Sequence, residues 1–372
     1  MQFNDLGGQW GEIRSSVIEK IDRLGFKGSY INGPEVSQFE KDFSDHYGAK
    51  YSVGVSNGTD GLKIALQVFD LTEKDLVIIP ANTFIADYLA VKHLPGGVPK
   101  IALIDHDEHF TIDTSHLESF LKEKREDFGK IVVIPVHLYG HPCDMDSIMN
   151  LASLYNFNVI EDCSQSHESK YKGNHLGSYG DLAVYSLYPG KNLGACGDAG
   201  VITTNSEEFY HRMRSIRNYG SKVKYHYDEI GYNNRLDSMQ AIVLSEKLRL
   251  LEKWTEIKKR IIERYQKEIN NPKVSLPKVS DSCTSHSYHI FCLEVDDRES
   301  FERYMAERGV PTIIHYPIPI HKTTIFDPSD IIFSSENTDK TCDRIVSIPI
   351  HPFLSEEEVD LVISSVNSWT IF

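Results

Sequence analysis

A mostly parallel sheet of seven strands lying between helices, joined to a smaller C-terminal α+β unit, is the architecture this sequence predicts. Three observations point to it. From Tyr51 onward, short β-branched runs alternate with helical stretches, the pattern of an α/β layer fold. After a long helical stretch the alternation gives way to a mixed pattern in the last third. Neither an internal repeat nor a low-complexity tract interrupts either region.

In chain order, residues 1–35 combine helical periodicity around Ile13 to Leu24 with the turn-prone Gly25, Gly28, Asn32, Gly33 and Pro34, and read as an arm. A helix starts near Glu35, with Val36, Phe39 and Phe43 on one face. Strands are expected at Ser52 to Val55, Leu76 to Pro80, Lys100 to Ile104, Ile131 to Val136, Val159 to Asp162, Leu182 to Tyr188 and Gly200 to Thr203. Helices are expected at Thr59 to Phe69, Phe84 to His93, Ser115 to Lys124 and Met145 to Tyr155. One long helix, Leu236 to Ile269, leads out of the large domain, whose end is set at residue 250; residues 251–372 form the small domain. That domain offers a strand at Tyr288 to Val295, a helix at Arg298 to Arg308, a strand at Pro311 to His315 and a helix at Ser355 to Trp369. Ser355 and Glu358 make a capping-box pattern at the start of the last helix.

Composition excludes several classes. With 372 residues there is ample chain for a large core, and 40% hydrophobic with 25% charged residues is ordinary globular composition. A net charge of -15 argues against a general binder of nucleic acid or anionic membrane. No apolar run reaches the roughly 18 residues of a membrane helix, and the first residues lack a basic, then apolar, leader; a cytoplasmic protein is expected. The six cysteines are scattered and the histidines show no metal-ligand spacing, so no metal is predicted.

In parallel sheets ligands bind beyond the carboxyl ends of the strands, so the residues there carry the functional reading. Ser56-Asn57-Gly58-Thr59-Asp60-Gly61 opens a helix with small residues, which suits a phosphate on free amides or a plain N-cap turn. Phe84 follows the second strand, as a stacking ring or a core residue. Asp162 ends a buried strand, where a carboxylate needs a cation such as a protonated pyridine nitrogen, a metal or a helix cap. Ser186 and Lys191 flank a Pro-Gly turn; alone, Lys191 reads as an ordinary loop lysine, and beside a cofactor aldehyde as a Schiff-base lysine. Together and in this order, the four features meet the needs of pyridoxal phosphate.

The run Ser186 to Gly200 (S-x-x-x-x-K-N-L-G-x-x-G-D-x-G) resembles the lysine motif of the DegT/DnrJ/EryC1/StrS sugar aminotransferases, pyridoxal-phosphate enzymes of fold type I. Further matching runs are Gly33-Pro34-Glu35, Val55 to Asp60, Pro80 to Phe84, Glu161 to His167, Gly231 to Arg235, His315 to His321 and Ser347 to Ile350. The resemblance implies Lys191 as the catalytic lysine, Asp162 on the pyridine nitrogen, and Gln165 near the ring. It further implies Gly58, Thr59, Asp60 and Ser186 on the phosphate, Phe84 stacked on the ring, and Asn233 reaching the phosphate of a partner subunit in a homodimer with shared sites. Tyr188, Arg235, His315, Tyr316 and His321 are the expected substrate contacts. The implied reaction moves the amino group of L-glutamate, by way of pyridoxamine phosphate, to a nucleotide-linked keto-deoxysugar. The His315 to His321 run looks most like members that aminate dTDP-3-keto-6-deoxyhexoses, giving dTDP-3-amino-3,6-dideoxyhexoses. The alternatives are a 4-keto sugar carried on UDP, GDP or dTDP, or a cofactor-binding regulator without activity. A nicotinamide enzyme is disfavoured, because Gly194, Gly197 and Gly200 follow the lysine instead of opening a βαβ unit.

Overall fold

The computed structural model describes residues 1–370. Its strands, in chain order, are β1 (Tyr51–Val55), β2 (Leu76–Pro80), β3 (Lys100–Ile104), β4 (Ile131–Val133), β5 (Asn158–Asp162), β6 (Lys170–Tyr171), β7 (Asn174–His175), β8 (Leu182–Ser186) and β9 (Gly200–Thr204). The later ones are β10 (Val274–Ser275), β11 (Cys283–Ser285), β12 (Phe291–Val295), β13 (Ile331–Ile332) and β14 (Ile345–Ile348). The main sheet has eight strands in the order β1-β9-β8-β5-β4-β2-β3-β13. All its neighbours are parallel except β9, which runs antiparallel to both β1 and β8.

Strands buried on both faces need continuous apolar sequence, and Leu-Val-Ile-Ile-Pro in β2 supplies it: all five residues are buried. Helix α1 (Leu6–Lys27) is capped by the Asp5 side chain, which accepts the Gly8 N–H at 2.8 Å. Helix α2 (Pro34–Tyr47) begins with proline at its first turn, where the missing N–H costs nothing. Helix α3 (Gly58–Gln67) is capped by Asn57, and α4 (Ala86–Lys92) follows β2. On one face of the sheet α2 packs through the fully buried Phe39 and Phe43, each contributing roughly 1.5–3 kcal/mol by burial. On the other, Leu62 and Leu66 of α3 pack with Tyr88 of α4 and with Met213 and Ile216. A separate core of Ile261, Tyr265, Phe301, Val362 and Trp369 closes over the antiparallel sheet β10-β12-β14.

The structure departs from the sequence pattern in four places. Residues 6–27 are no loose arm: Ile13, Val17 and Leu24 of α1 form a small core with Ile242 and Val243. The long helix is two, Ser238–Leu248 and Leu251–Glu268, broken at Arg249–Leu250 with neither Gly nor Pro to announce it. Pro311 to His315 is not a strand; only Ile313 bridges to Ser347, and Pro311 has no N–H to extend the ladder. The main sheet gains an eighth, edge strand, because β13 from the C-terminal region pairs with β3, Ile331 opposite Ala102. Among the described residues, no helix is long and apolar enough to cross a membrane.

Candidate active site

The carboxyl ends of β1, β5 and β8 converge on a cavity of about 750 Å³, a size suited to a cofactor with part of a substrate. Its lining includes Gly58, Thr59, Asp60, Phe84, Asp162, Gln165, Ser186, Tyr188, Lys191, His315 and Tyr316, so eleven of the expected residues meet in one place. The convergence follows from strand register. Pairing of β5 with β8 sets Asp162 against Val184, and pairing of β8 with β9 sets Ser186 against Gly200. Gly58 at the first turn of α3 then lies against Ser186 so closely that a Cβ on it would stand 2.8 Å from the Ser186 Cβ.

At the helix end, Asn57 Oδ1 accepts the Asp60 N–H at 2.8 Å. The Asp60 carboxylate accepts from Ser56, from Asn57 and from Lys63 Nζ at 2.9 Å; although burial opposes its charge, these partners hold its pKa below the usual carboxylate range. Asp60 is thereby committed to the turn. What the helix end offers an anion is the amides of Gly58 and Thr59, together with the Ser186 hydroxyl across from them.

Lys191 is half-buried, its backbone fixed by an N–H bond to the Tyr188 carbonyl at 2.9 Å. Burial lowers its ammonium to a pKa of about 8, against the opposing pull of Asp162 and Asp87. At neutral pH about one lysine in ten then carries a free amine, against fewer than one in a thousand for an ordinary lysine. Asp162 sits at the cavity floor, where its Oδ1 accepts the Ser164 N–H at 2.9 Å. Gln165 accepts the Tyr139 N–H and donates to the Tyr316 hydroxyl at 3.1 Å, tying the floor to the His315–Tyr316 segment. Phe84 is 49% exposed, its ring 5.3 Å from that of Tyr316, and so presents a free face to the cavity. His315 is brought down to a pKa of about 4 by burial and then by Lys191, which makes it a neutral imidazole bonded to Ser347 Oγ at 2.9 Å.

Three of the expected residues lie elsewhere. His321 bonds Asp339 at 3.0 Å, outside the cavity. Arg235 donates to Asn218 Oδ1 at 3.0 Å and stacks over Tyr219. Asn233 is exposed and bridges to Asn218, so one chain alone does not bring it to Lys191.

The structure also adds residues that the sequence pattern did not single out. Phe3 and Asn4 line the cavity, with Asn4 donating to the Gly190 carbonyl at 3.2 Å. Asp87 stands directly behind Asp162 and is fully buried. Its Oδ2 accepts from Thr83 Oγ1 at 2.6 Å, and Oδ1 has no conventional donor among the described residues. Burial and then the Asp162 charge push its pKa well up, which favours the protonated carboxyl, a form able to donate toward Asp162. The signal for it was a lone carboxylate amid the buried run Ala86, Tyr88, Ala90 and Val91. Below Lys191, the buried Lys258 donates to Asn192 Oδ1, to the Ser287 carbonyl and to the Tyr288 carbonyl at 2.9, 2.7 and 3.1 Å. Burial takes its pKa down to about 7.

These residues fit pyridoxal phosphate on structural grounds. The cradle at Gly58 admits a phosphate where any side chain would intrude, an amine with a lowered pKa faces the cavity, and a carboxylate with a second carboxyl behind it waits at its floor.

The model of the DegT/DnrJ/EryC1/StrS aminotransferase family matches residues 12–367. Across 359 residues the chain is 40% identical to the dTDP-3-amino-3,6-dideoxy-alpha-D-galactopyranose transaminase of Aneurinibacillus thermoaerophilus, covering 96% of each. The crystal structure of a DegT DnrJ EryC1 StrS aminotransferase from Brucella abortus superposes with a TM-score of 0.91 at 30% identity, over 98% of both chains. NtdA of Bacillus subtilis, solved with its cofactor PMP bound, has a TM-score of 0.83 at 29% identity, over 95% of this chain and 81% of that one. With nearly the whole length matched, the chain belongs to the DegT/DnrJ/EryC1/StrS aminotransferase family and is a pyridoxal-phosphate-dependent transaminase.

Proposed function

We propose that this enzyme moves the amino group of L-glutamate to a nucleotide-linked keto-deoxysugar, with dTDP-3-keto-6-deoxyhexose as the acceptor and dTDP-3-amino-3,6-dideoxyhexose as the product. The 40% identity over nearly the full length of a relative named for a dTDP-3-amino-3,6-dideoxygalactose carries the reading. The open side of the cavity, lined by Tyr188, His315 and Tyr316, supports it with hydroxyl and imidazole donors for a sugar.

In this reading the bound cofactor supplies an electron sink for the carbon that loses its proton. The chain's own residues do the rest. The Gly58 and Thr59 amides and the Ser186 hydroxyl would hold the phosphate, and Phe84 would lie against the ring. Asp162 would keep a proton on the pyridine nitrogen, with Asp87 behind it. Lys191 Nζ, with its pKa lowered to about 8, would take the proton from the reacting carbon and return it two atoms away, on the carbon at the other side of the transferred nitrogen. Neutral His315 contributes a hydrogen bond without adding a charge beside the lysine.

The active unit is a homodimer in which Asn233 and Arg235 serve the neighbouring chain's site. Exposed Tyr219, Tyr225, Tyr227 and Ile230 on the same segment favour a covered face there. The cofactor is held chiefly by residues 1–250, with residues 251–372 as the smaller domain around their own core.

Glutamate and a panel of dTDP-, UDP- and GDP-linked 3-keto and 4-keto sugars test the substrate, scored by the mass of the aminated product. Turnover confined to 4-keto sugars, or to UDP- or GDP-linked ones, would replace the dTDP-3-keto assignment. For the shared site, Lys191→Ala and Asn233→Ala chains are mixed; activity that never recovers on mixing counts against it.

A further inference from the structure

Away from the cavity, two clusters bring possible metal ligands together. In one, His137, Glu161 and Cys163 are all buried and their bonding is internally complete. Cys143 N–H donates to His137 Nδ1, His137 Nε2 meets Glu161 Oε2 at 3.2 Å, and Glu161 accepts the N–H groups of Gly177, Tyr179 and Gly180. That network holds the fold and has nothing left for a ligand.

The second cluster is unfinished. His46 ends α2, Glu168 lies in the loop between β5 and β6, and His175 lies on β7; one donor atom from each falls within 4.8 Å of the others. His46 Nε2 meets Glu168 Oε1 at 2.5 Å. His175 Nδ1 is shielded from solvent and has no hydrogen-bond partner among the described residues. Glu168 adds a separate observation: it is buried at φ +69°, a left-handed conformation that glycine adopts freely and a glutamate only at a cost.

We propose that His46, Glu168 and His175 form a site for one divalent transition-metal ion, zinc by the chemistry of the donor set. Two imidazoles and a carboxylate are three of the four ligands of a tetrahedral zinc, and the half-exposed side of the cluster leaves the fourth position to water. Ligation at about 2.1 Å sets donor atoms roughly 3.4 Å apart. His46 and Glu168 therefore part slightly while His175 closes in, all by side-chain rotation. The proton on His46 Nε2 moves to Nδ1 or leaves to solvent as the metal takes its place. Lys170 acts on both Glu168 and His175, and its charge disfavours calcium or magnesium, which are held by oxygen and charge, relative to a metal held by imidazole nitrogen. Such an ion pins α2 and the β6–β7 hairpin to the loop that follows Asp162 and carries Gln165, without entering the cavity.

The test is equilibrium dialysis of chelator-treated holoenzyme against cobalt(II) and zinc(II), with visible spectroscopy of the cobalt form. One equivalent per chain with the intense absorption of tetrahedral cobalt is expected. Glu168→Gly, which suits φ +69°, and His175→Ala should each weaken binding by more than about tenfold while the cofactor absorption is retained. Failure of the wild type to take up stoichiometric cobalt overturns the proposal, as does uptake that Glu168→Gly leaves unchanged. Should His175→Ala not fold, Glu168→Gly alone decides.

Discussion

Replacing Asp87 isolates the contribution of a carboxyl that never touches the cofactor. Asp87 is wholly buried, accepts from Thr83 at 2.6 Å and, with its pKa raised by burial and then by the Asp162 charge, can donate toward Asp162. In Asp87→Ala, Asp162 loses a donor at its back, and Thr83 loses its acceptor. A hydrogen bond to a charged group is worth about 1.5–3 kcal/mol, so the affinity of the apoenzyme for pyridoxal phosphate should fall by roughly 10- to 150-fold. Asp87→Asn can keep both contacts, with its carbonyl toward Thr83 and its amide N–H toward Asp162, and should stay within about threefold of the wild type. The assay is a fluorescence titration of apoenzyme with the cofactor, repeated from neutral to alkaline pH. Because burial raises the Asp87 pKa, its proton persists to higher pH than in an ordinary carboxyl and is lost as pH climbs. The wild type should therefore lose affinity at alkaline pH by a component that the Asn variant lacks. Equal affinities for all three proteins, or an Asn variant as weak as the Ala variant, would refute the donor role of Asp87.

Lys191→Ala should abolish steady-state transamination, measured as 2-oxoglutarate formed from glutamate; turnover at the wild-type rate counts against its role. Gly58→Ala places a methyl group 2.8 Å from the Ser186 Cβ, and should cost about 1–3 kcal/mol by urea unfolding and weaken cofactor retention on gel filtration. Lys258→Met bears on pH. The folded pKa of about 7 lies below the unfolded value near 10.4, so the unfolded chain binds the extra proton between these limits. Wild-type stability should gain on the Met variant as pH rises from 7 to 10, by at most about 1.4 kcal/mol per pH unit; a constant difference in urea midpoints contradicts this. His321→Ala, remote from the cavity, should leave kcat and KM for the sugar substrate within about twofold, and a large rise in KM would return His321 to the substrate contacts.

The residues that read most clearly in the sequence are those whose identity follows from local chemistry. β2 and β4 carry uninterrupted apolar runs because both faces are covered, and the polar residues Asp162 and Ser186 that end β5 and β8 fell where the sheet opens. Ser355 and Glu358 formed the capping box their spacing implied. The two-residue strand Ile331–Ile332 carries no such pattern, since its pairing is decided by the tertiary position of the β3 edge. Asp87 went unnoticed because its meaning depends on Asp162, which is seventy-five positions away in sequence. Phe3 and Asn4 reach the cavity only because α1 packs on the helix Ser238–Leu248, a contact no local spacing encodes.

That small strand, β13, has a mechanical consequence. The segment bearing His315 and Tyr316 is stitched at two points: Ile313 to Ser347 behind it, and Ile331 to Ala102 on the main sheet ahead of it. A loop fastened at both ends cannot swing away like a flap. Any widening of the cavity mouth must stretch the intervening chain or unzip β13 first, so backbone amides at Ile331 and Phe333 are where hydrogen exchange should quicken as a large ligand enters and leaves.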